Sequence, residues 1–251
     1  MLTEEHFGLF KEFRIKAMGD KLREIVNDES YDSLTFEEKM EMLLDAEASA
    51  RRARKVDKKV KAAMFKDPAA CVEDIVYLPD RKLSKDRVMR LAACDWVGEC
   101  EVVVVISKTG CGKSFVCQAI GNAACRKLID VRYARLAGIC EELNRARAAA
   151  DGSYFELMDG FKNVPLLIMD DFLTTPRSTL NAIDLFEILE ARENRAATVR
   201  ATQLEPDEWY LRIEGELMAD SILSRTAKVA RYVDIDGPDM REYFARKKQA
   251  G

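Results

Sequence analysis

Five consecutive residues, Gly110-Cys111-Gly112-Lys113-Ser114, combine the groups needed to hold a polyphosphate. The two glycines let the backbone turn tightly enough for successive N–H groups to converge on one anion. The lysine then brings a full positive charge to the β and γ phosphates, and the serine hydroxyl can bind Mg²⁺. The turn follows Val102-Val103-Val104-Val105-Ile106, a β-branched run of the kind buried on both faces of a sheet. A helix opens at Lys113, with Val116, Ile120 and Ala123 on one face. The context of strand, turn and helix turns this spacing into a mechanism, because the helix N-terminus adds its partial positive charge. Position 107 is Ser where the pattern usually opens with Gly, but the amides that hold phosphate come later in the loop. The expected ligand is therefore ATP with Mg²⁺, surrounded by Lys108, Thr109, Gly110, Cys111, Gly112, Lys113, Ser114 and Phe115.

Asp170 and Asp171 follow the apolar run Leu166-Leu167-Ile168-Met169, the Walker B arrangement. Asp170 would hold the hydration shell of the metal, and Asp171 would orient or deprotonate an attacking water. Two acids after a buried strand can equally be a solvated strand end. The phosphate loop earlier in the chain favours the chemical role.

These groups need a scaffold, and the rest of the chain supplies the pattern of one. Val131–Tyr133, Leu166–Met169, Thr198–Thr202 and Ala230–Ile235 read as further strands, separated by helical segments over 136–149 and 180–193. Strands alternating with helices imply an α/β fold, a parallel sheet covered on both sides. Residues 1–67 read as a small all-helical domain ahead of this ATPase-like domain at 68–251. One helix is expected over 3–26. A second starts at Thr35 with Glu38 placed to complete a capping box, and its apolar positions recur at helical spacing to Met64. From Arg51 onward that helix is basic, with Arg51, Arg52, Arg54, Lys55, Lys58, Lys59 and Lys61 against a single acid, Asp57.

Composition excludes several classes. The 251 residues carry a formal net charge of -4, so a nucleic-acid surface must be a local patch and not a whole-molecule field. No apolar run approaches the roughly 18 to 20 residues of a membrane span, and the opening stretch lacks the form of a secretory signal. The seven cysteines form no CxxC pair, and His6 is the only histidine. Zinc clusters and histidine-assisted nucleophiles therefore have no basis here. Scattered thiols such as Cys94, Cys117, Cys125 and Cys140 fit core packing in a reducing cytoplasm.

Taken in order, these pieces resemble the AAA+ ATPases, and among them the IstB/DnaC group of transposase helpers and replicative helicase loaders. Leu34-Thr35-Phe36-Glu37-Glu38 and Leu43-Leu44-Asp45-Ala46-Glu47 look like the helical region of IstB proteins. Thr202-Gln203-Leu204 with Glu208-Trp209 resembles the group's sensor-1 strand and the turn beyond it. The segment 219–225, ending in Ser224-Arg225, resembles the helix that carries its arginine finger, and Met240-Arg241 falls where a C-terminal sensor arginine is found. The IstB branch fits better than the loader branch.

The resemblance implies roles. Gln203 would bond the attacking water or the γ-phosphate, Arg225 would complete a neighbouring subunit's site, and Arg241 would contact the nucleotide. A finger acting between subunits requires head-to-tail packing into an ATP-dependent homo-oligomer, ring or filament. Charge runs on helices are as a rule merely solvated. It is the resemblance that raises Arg51, Arg52, Lys55, Lys58 and Lys59 to candidates for non-specific contact with DNA phosphates, with Arg126-Lys127 as a secondary patch. The implied function is an ATP-hydrolysing DNA assembly factor that helps a transposase select and engage target DNA. The alternatives are a DnaC-like helicase loader and a scaffold that binds nucleotide without hydrolysing it.

Overall fold

The structure, a computed structural model, describes residues 3–226 and 230–249. The backbone divides into two compact units, Met1–Lys58 and Lys59–Gly251. The division falls inside the basic helix, whereas the sequence expectation draws it between 67 and 68, where the helical pattern ends.

The first unit holds α1 (Glu4–Glu12), α2 (Lys16–Asn27) and most of α3 (Phe36–Ala62). The single helix expected over 3–26 is thus two. Arg14 adopts a left-handed φ of 59°, the Arg14 N–H donates to Lys11 O at 3.1 Å, and the Ile15 N–H donates to Phe10 O at 2.8 Å. This is the hydrogen-bond pattern that ends helices, here without the usual Gly or Asn at the left-handed position. The reversal packs Gly19 onto Phe10 so closely that a Cβ at 19 would lie 2.6 Å from the Phe10 Cβ. At the start of α3 the expected capping box is present. The Thr35 N–H donates to Glu38 Oε2 at 2.7 Å, and the Glu38 N–H donates to Thr35 Oγ1 at 3.2 Å.

The second unit is built on β1 (Val102–Ser107), β2 (Val131–Arg135), β3 (Leu166–Asp170), β4 (Ala197–Thr202) and β5 (Ala230–Ile235). All pairings are parallel, in the order β2-β3-β4-β1-β5. One face, with Val103, Val105, Ile168 and Val199, packs on α6 (Lys113–Arg126) and on Leu91 and Trp96 of the shorter helices α4 (Lys85–Ala92) and α5 (Asp95–Gly98). The other face, with Val104, Leu167 and Met169, packs on α7 (Leu136–Ala149), α8 (Ser153–Asn163), α9 (Thr179–Arg192), Trp209 at the end of α10 (Pro206–Trp209), and α11 (Glu216–Thr226). A terminal helix, α12 (Met240–Gln249), completes the unit. Helix α8 is an element the sequence reading lacked.

Two arginines lie inside this unit. Arg192 donates to the carbonyls of Phe161 and Val164, both at 2.8 Å, and to Thr198 Oγ1 at 3.0 Å. Arg200 on β4 lies against the Phe172 ring, 5.5 Å from its centroid, and burial pushes its guanidinium down to about 9. No helix among the described residues is long and apolar enough to cross a membrane.

Candidate nucleotide site

Parallel order places the C-terminal ends of β1, β3 and β4 side by side, and the loops that follow them meet in one cleft of about 960 Å³. Gly110, Gly112, Lys113, Ser114, Phe115, Thr109, Asp170, Asp171, Gln203 and Arg241 all line it. Residues separated by more than a hundred positions in the chain are thereby brought to a single surface.

The phosphate loop owes its shape to two left-handed residues, Gly110 at φ 87° and Gly112 at φ 88°. Gly110 also admits the Asp239 carboxylate, whose Oδ2 would lie 2.2 Å from a Cβ at 110. The loop is braced from the C-terminal side, since the Met240 N–H donates to Gly110 O at 2.9 Å and the Cys111 thiol donates to Gly237 O at 3.3 Å. Ser107, the departure from the usual pattern, closes β1 in register with Ile235 of β5 and does not have positive φ. The backbone at 107 therefore makes no demand that only glycine could meet. Lys113 opens α6 and is 8% exposed, which keeps its cation in the cleft and out of bulk water.

The acids lie opposite. Asp170, 1% exposed, ends β3. Its Oδ2 accepts from the Tyr133 hydroxyl at 2.6 Å and its Oδ1 from the Asp171 N–H at 2.9 Å, so the carboxylate is oriented from both sides. Burial, and then the bond to Asp170, pushes the Tyr133 phenol well above its ordinary range, so it remains a donor. Asp171 has a left-handed φ of 51° and stands between two cations, Lys113 Nζ at 3.8 Å and Arg135 Nε at 3.4 Å. Gln203, just past β4, meets the Thr109 hydroxyl at 2.5 Å and so ties that strand tip to the phosphate loop.

Among the described residues no cluster of three or more His, Cys, Asp or Glu side chains could hold a metal by itself. A magnesium ion that keeps its waters and binds phosphate oxygens needs only a hydroxyl and a carboxylate from the protein. Ser114 and the twice-oriented Asp170 fit that requirement.

Other residues singled out in the sequence fall elsewhere. The side chain of Lys108 is turned to Asp236 at 3.5 Å and that of Cys111 to Gly237, while the Cys111 N–H donates to Lys108 O at 3.4 Å. Arg225, near the end of α11, packs against α9, paired with Glu190 at 3.3 Å and with Glu193, just past that helix, at 3.2 Å, and stacked 4.8 Å from the Phe186 centroid. In α3, Arg51 and Arg54 both pair with Glu47, at 2.8 and 3.1 Å, and Lys59 pairs with Asp130 at 2.6 Å. Arg52, Lys55 and Lys58 are exposed. Arg126 pairs with Glu73 at 3.2 Å, and Lys127 donates to the Ala93 carbonyl.

Sequence reasoning missed Tyr133, Arg135 and Arg81. The first two carried only the signal of a strand, and the register that sets Arg135 beside Asp170 comes from strand pairing. Arg81 lies in an aperiodic stretch and carried none.

The sheet order, with a glycine-rich loop after β1 and paired acids at the end of β3, is a P-loop fold of the AAA+ type. The chain belongs to the family of IstB-like ATP binding proteins, whose model matches residues 8–250. It is 31% identical to y4pL of Sinorhizobium fredii over 98% of this chain and all (100%) of that one. It is 30% identical to y4uH of the same organism over 96% of each. Both relatives are named as insertion sequence ATP-binding proteins. Among solved structures, the DnaC helicase loader matches with a TM-score of 0.56 at 14% identity, covering 66% of this chain and 96% of that one. AMPPCP-bound DnaA from Aquifex aeolicus matches with a TM-score of 0.58 at 18% identity, covering 73% of this chain. The match spans about half, 55%, of that DnaA chain.

Proposed function

We propose that this protein binds ATP with Mg²⁺ in the cleft, hydrolyses it, and uses the cycle to assemble on DNA as the helper of a transposase. The observation that carries the reading is the convergence of the phosphate loop, Asp170, Asp171 and Gln203 on one surface. The full-length likeness to insertion sequence ATP-binding proteins supports the transposition setting over a helicase loader. In this reading Lys113 holds the β and γ phosphates, and Ser114 and Asp170 hold the metal, which supplies charge neutralisation on the phosphoryl group. Asp171 orients the attacking water. To do so it must exchange its contacts with Lys113 and Arg135 for one with that water. Gln203, on releasing Thr109, would bond the water or the γ-phosphate, and Arg241 would reach the nucleotide from α12. Arg225 would serve the next subunit of a ring or filament after leaving Glu190 and Glu193. Exposed Lys55 and Lys58 would take DNA phosphates, with Arg51, Arg52 and Lys59 joining them. All seven cysteines are free thiols, which suits work in a reducing cytoplasm.

The paired state of Asp171 favours one second reading, a scaffold that binds nucleotide without turning it over. Phosphate release measured with and without double-stranded DNA decides between the two, alongside electron microscopy of the same mixtures. DNA-stimulated turnover that Lys113→Ala abolishes, with ATP-dependent oligomers on DNA, is the expected result. Nucleotide binding with no turnover under any condition selects the scaffold, and no nucleotide binding at all refutes both.

A further inference from the structure

Behind the phosphate loop lies a charged side chain that the reaction outlined above does not use. Arg81 is 7% exposed and lines the same cleft. Its Nη2 donates to the Cys111 carbonyl at 2.7 Å, and its Nη1 donates to the carbonyl of Val76. Its Nε–H is buried without an acceptor, and among the described residues it has no carboxylate partner. Two glycines make room for it. A Cβ at Gly112 would lie 3.3 Å from Nη2, and one at Gly237 would lie 2.8 Å from the Arg81 Cγ.

A buried guanidinium bonded to no carboxylate is costly, and natural folds pair such charges or place them where an anion arrives. Burial also pushes this guanidinium below its ordinary range, against a smaller opposing pull from Cys111, Tyr77 and Asp80. Its main contact has a directional consequence. In a planar trans peptide the carbonyl of residue 111 and the N–H of residue 112 point in opposite directions. Fixing the Cys111 carbonyl on Arg81 therefore fixes where the Gly112 amide aims, and that amide belongs to the loop that would cradle phosphate.

We infer that Arg81 is a second fixed cation of the nucleotide cleft, a positioning residue that holds the phosphate loop from behind and adds a positive charge, bonded to no carboxylate, for the polyphosphate. The inference rests on the nucleotide reading given above, and its test separates the two. Binding of ATP and of inorganic tripolyphosphate is measured by calorimetry at low and high salt on the full chain, as wild type, Arg81→Met, Arg81→Lys and Lys113→Ala. Loss of a charge-assisted contact predicts that Arg81→Met weakens both ligands by about tenfold or more. It also flattens their salt dependence, because one screened charge has gone. Arg81→Lys recovers the salt dependence and part of the affinity. Should Arg81→Met fail to fold, Arg81→Gln takes its place under the same expectations.

Wild-type affinity in Arg81→Met, with binding lost in Lys113→Ala, overturns the role of Arg81 and leaves the nucleotide reading intact. Equal weakening by Met and Lys with an unmoved salt dependence reduces Arg81 to structural support, which overturns the inference as well. Binding that survives Lys113→Ala removes the nucleotide reading itself.

Discussion

The Tyr133 hydroxyl, on the strand next to β3, donates a 2.6 Å hydrogen bond to Oδ2 of Asp170. An outer contact of this kind fixes the orientation of a carboxylate that would hold a metal. Such contacts change metal affinity by about 10- to 100-fold when removed. Tyr133→Phe should therefore raise the Mg²⁺ concentration needed for half-maximal ATP turnover while leaving nucleotide affinity nearly unchanged. A magnesium titration of phosphate release checks this, and an unshifted midpoint would show that Asp170 needs no such support.

Asp171 stands between Lys113 and Arg135 and is the residue proposed above to orient the attacking water. Asp171→Asn keeps a residue that tolerates left-handed backbone and removes the negative charge. Turnover should drop by about 10²- to 10⁴-fold, the usual scale of general-base loss, with ATP still bound. Single-turnover kinetics with labelled ATP measures both quantities. Retained turnover would move the base elsewhere.

The two contacts of Arg225 with Glu190 and Glu193 compete with any role in a neighbouring subunit. Arg225→Ala should spare nucleotide binding and lower turnover by about 10³-fold or more if the residue acts as a finger. Glu190→Gln with Glu193→Gln should raise basal turnover by releasing the guanidinium. Were the paired glutamine variant merely less stable and no more active, the arginine would belong to the α9–α11 packing alone.

On the basic helix the structure separates residues that the sequence treats alike. Lys55 and Lys58 are exposed, whereas Arg51 and Lys59 are held by Glu47 and Asp130. Replacing Lys55 and Lys58 with Ala should weaken DNA binding uniformly across sequences and reduce the salt slope by about two. Fluorescence anisotropy over a salt series reads the slope, and an unaltered value would assign DNA to another surface.

The strands and the phosphate loop were legible because their signals are local. A β-branched run, a glycine pair and a helical face each lie within a dozen residues. The break between α1 and α2 was not legible, since Phe13-Arg14-Ile15 contains neither Gly nor Pro and the turn is imposed by Phe10 packing on Gly19. Helix α8 was legible and overlooked, since Tyr154, Leu157, Met158 and Phe161 recur at i, i+3, i+4 and i+7 and all pack into the core. In the site, Asp170 could be named from its strand, but its partner Tyr133 required the order of β2 and β3, which only pairing reveals. The partners of Arg225 and Arg51 depend on which face of a helix meets which neighbour. A run of charges in sequence does not carry that information.

The joint between Met240 and Gly110, with the thiol of Cys111 seated on Gly237, makes the segment 237–240 a brace for the loop at 110–112. Shortening the chain to end before Asp236 would strip away α12 and, with it, the abutment against which residues 110–112 hold their curve. A tidy truncation at the last strand, attractive for crystallisation or for fusing another protein, would thus yield a domain with its sheet intact and its grip on phosphate slackened.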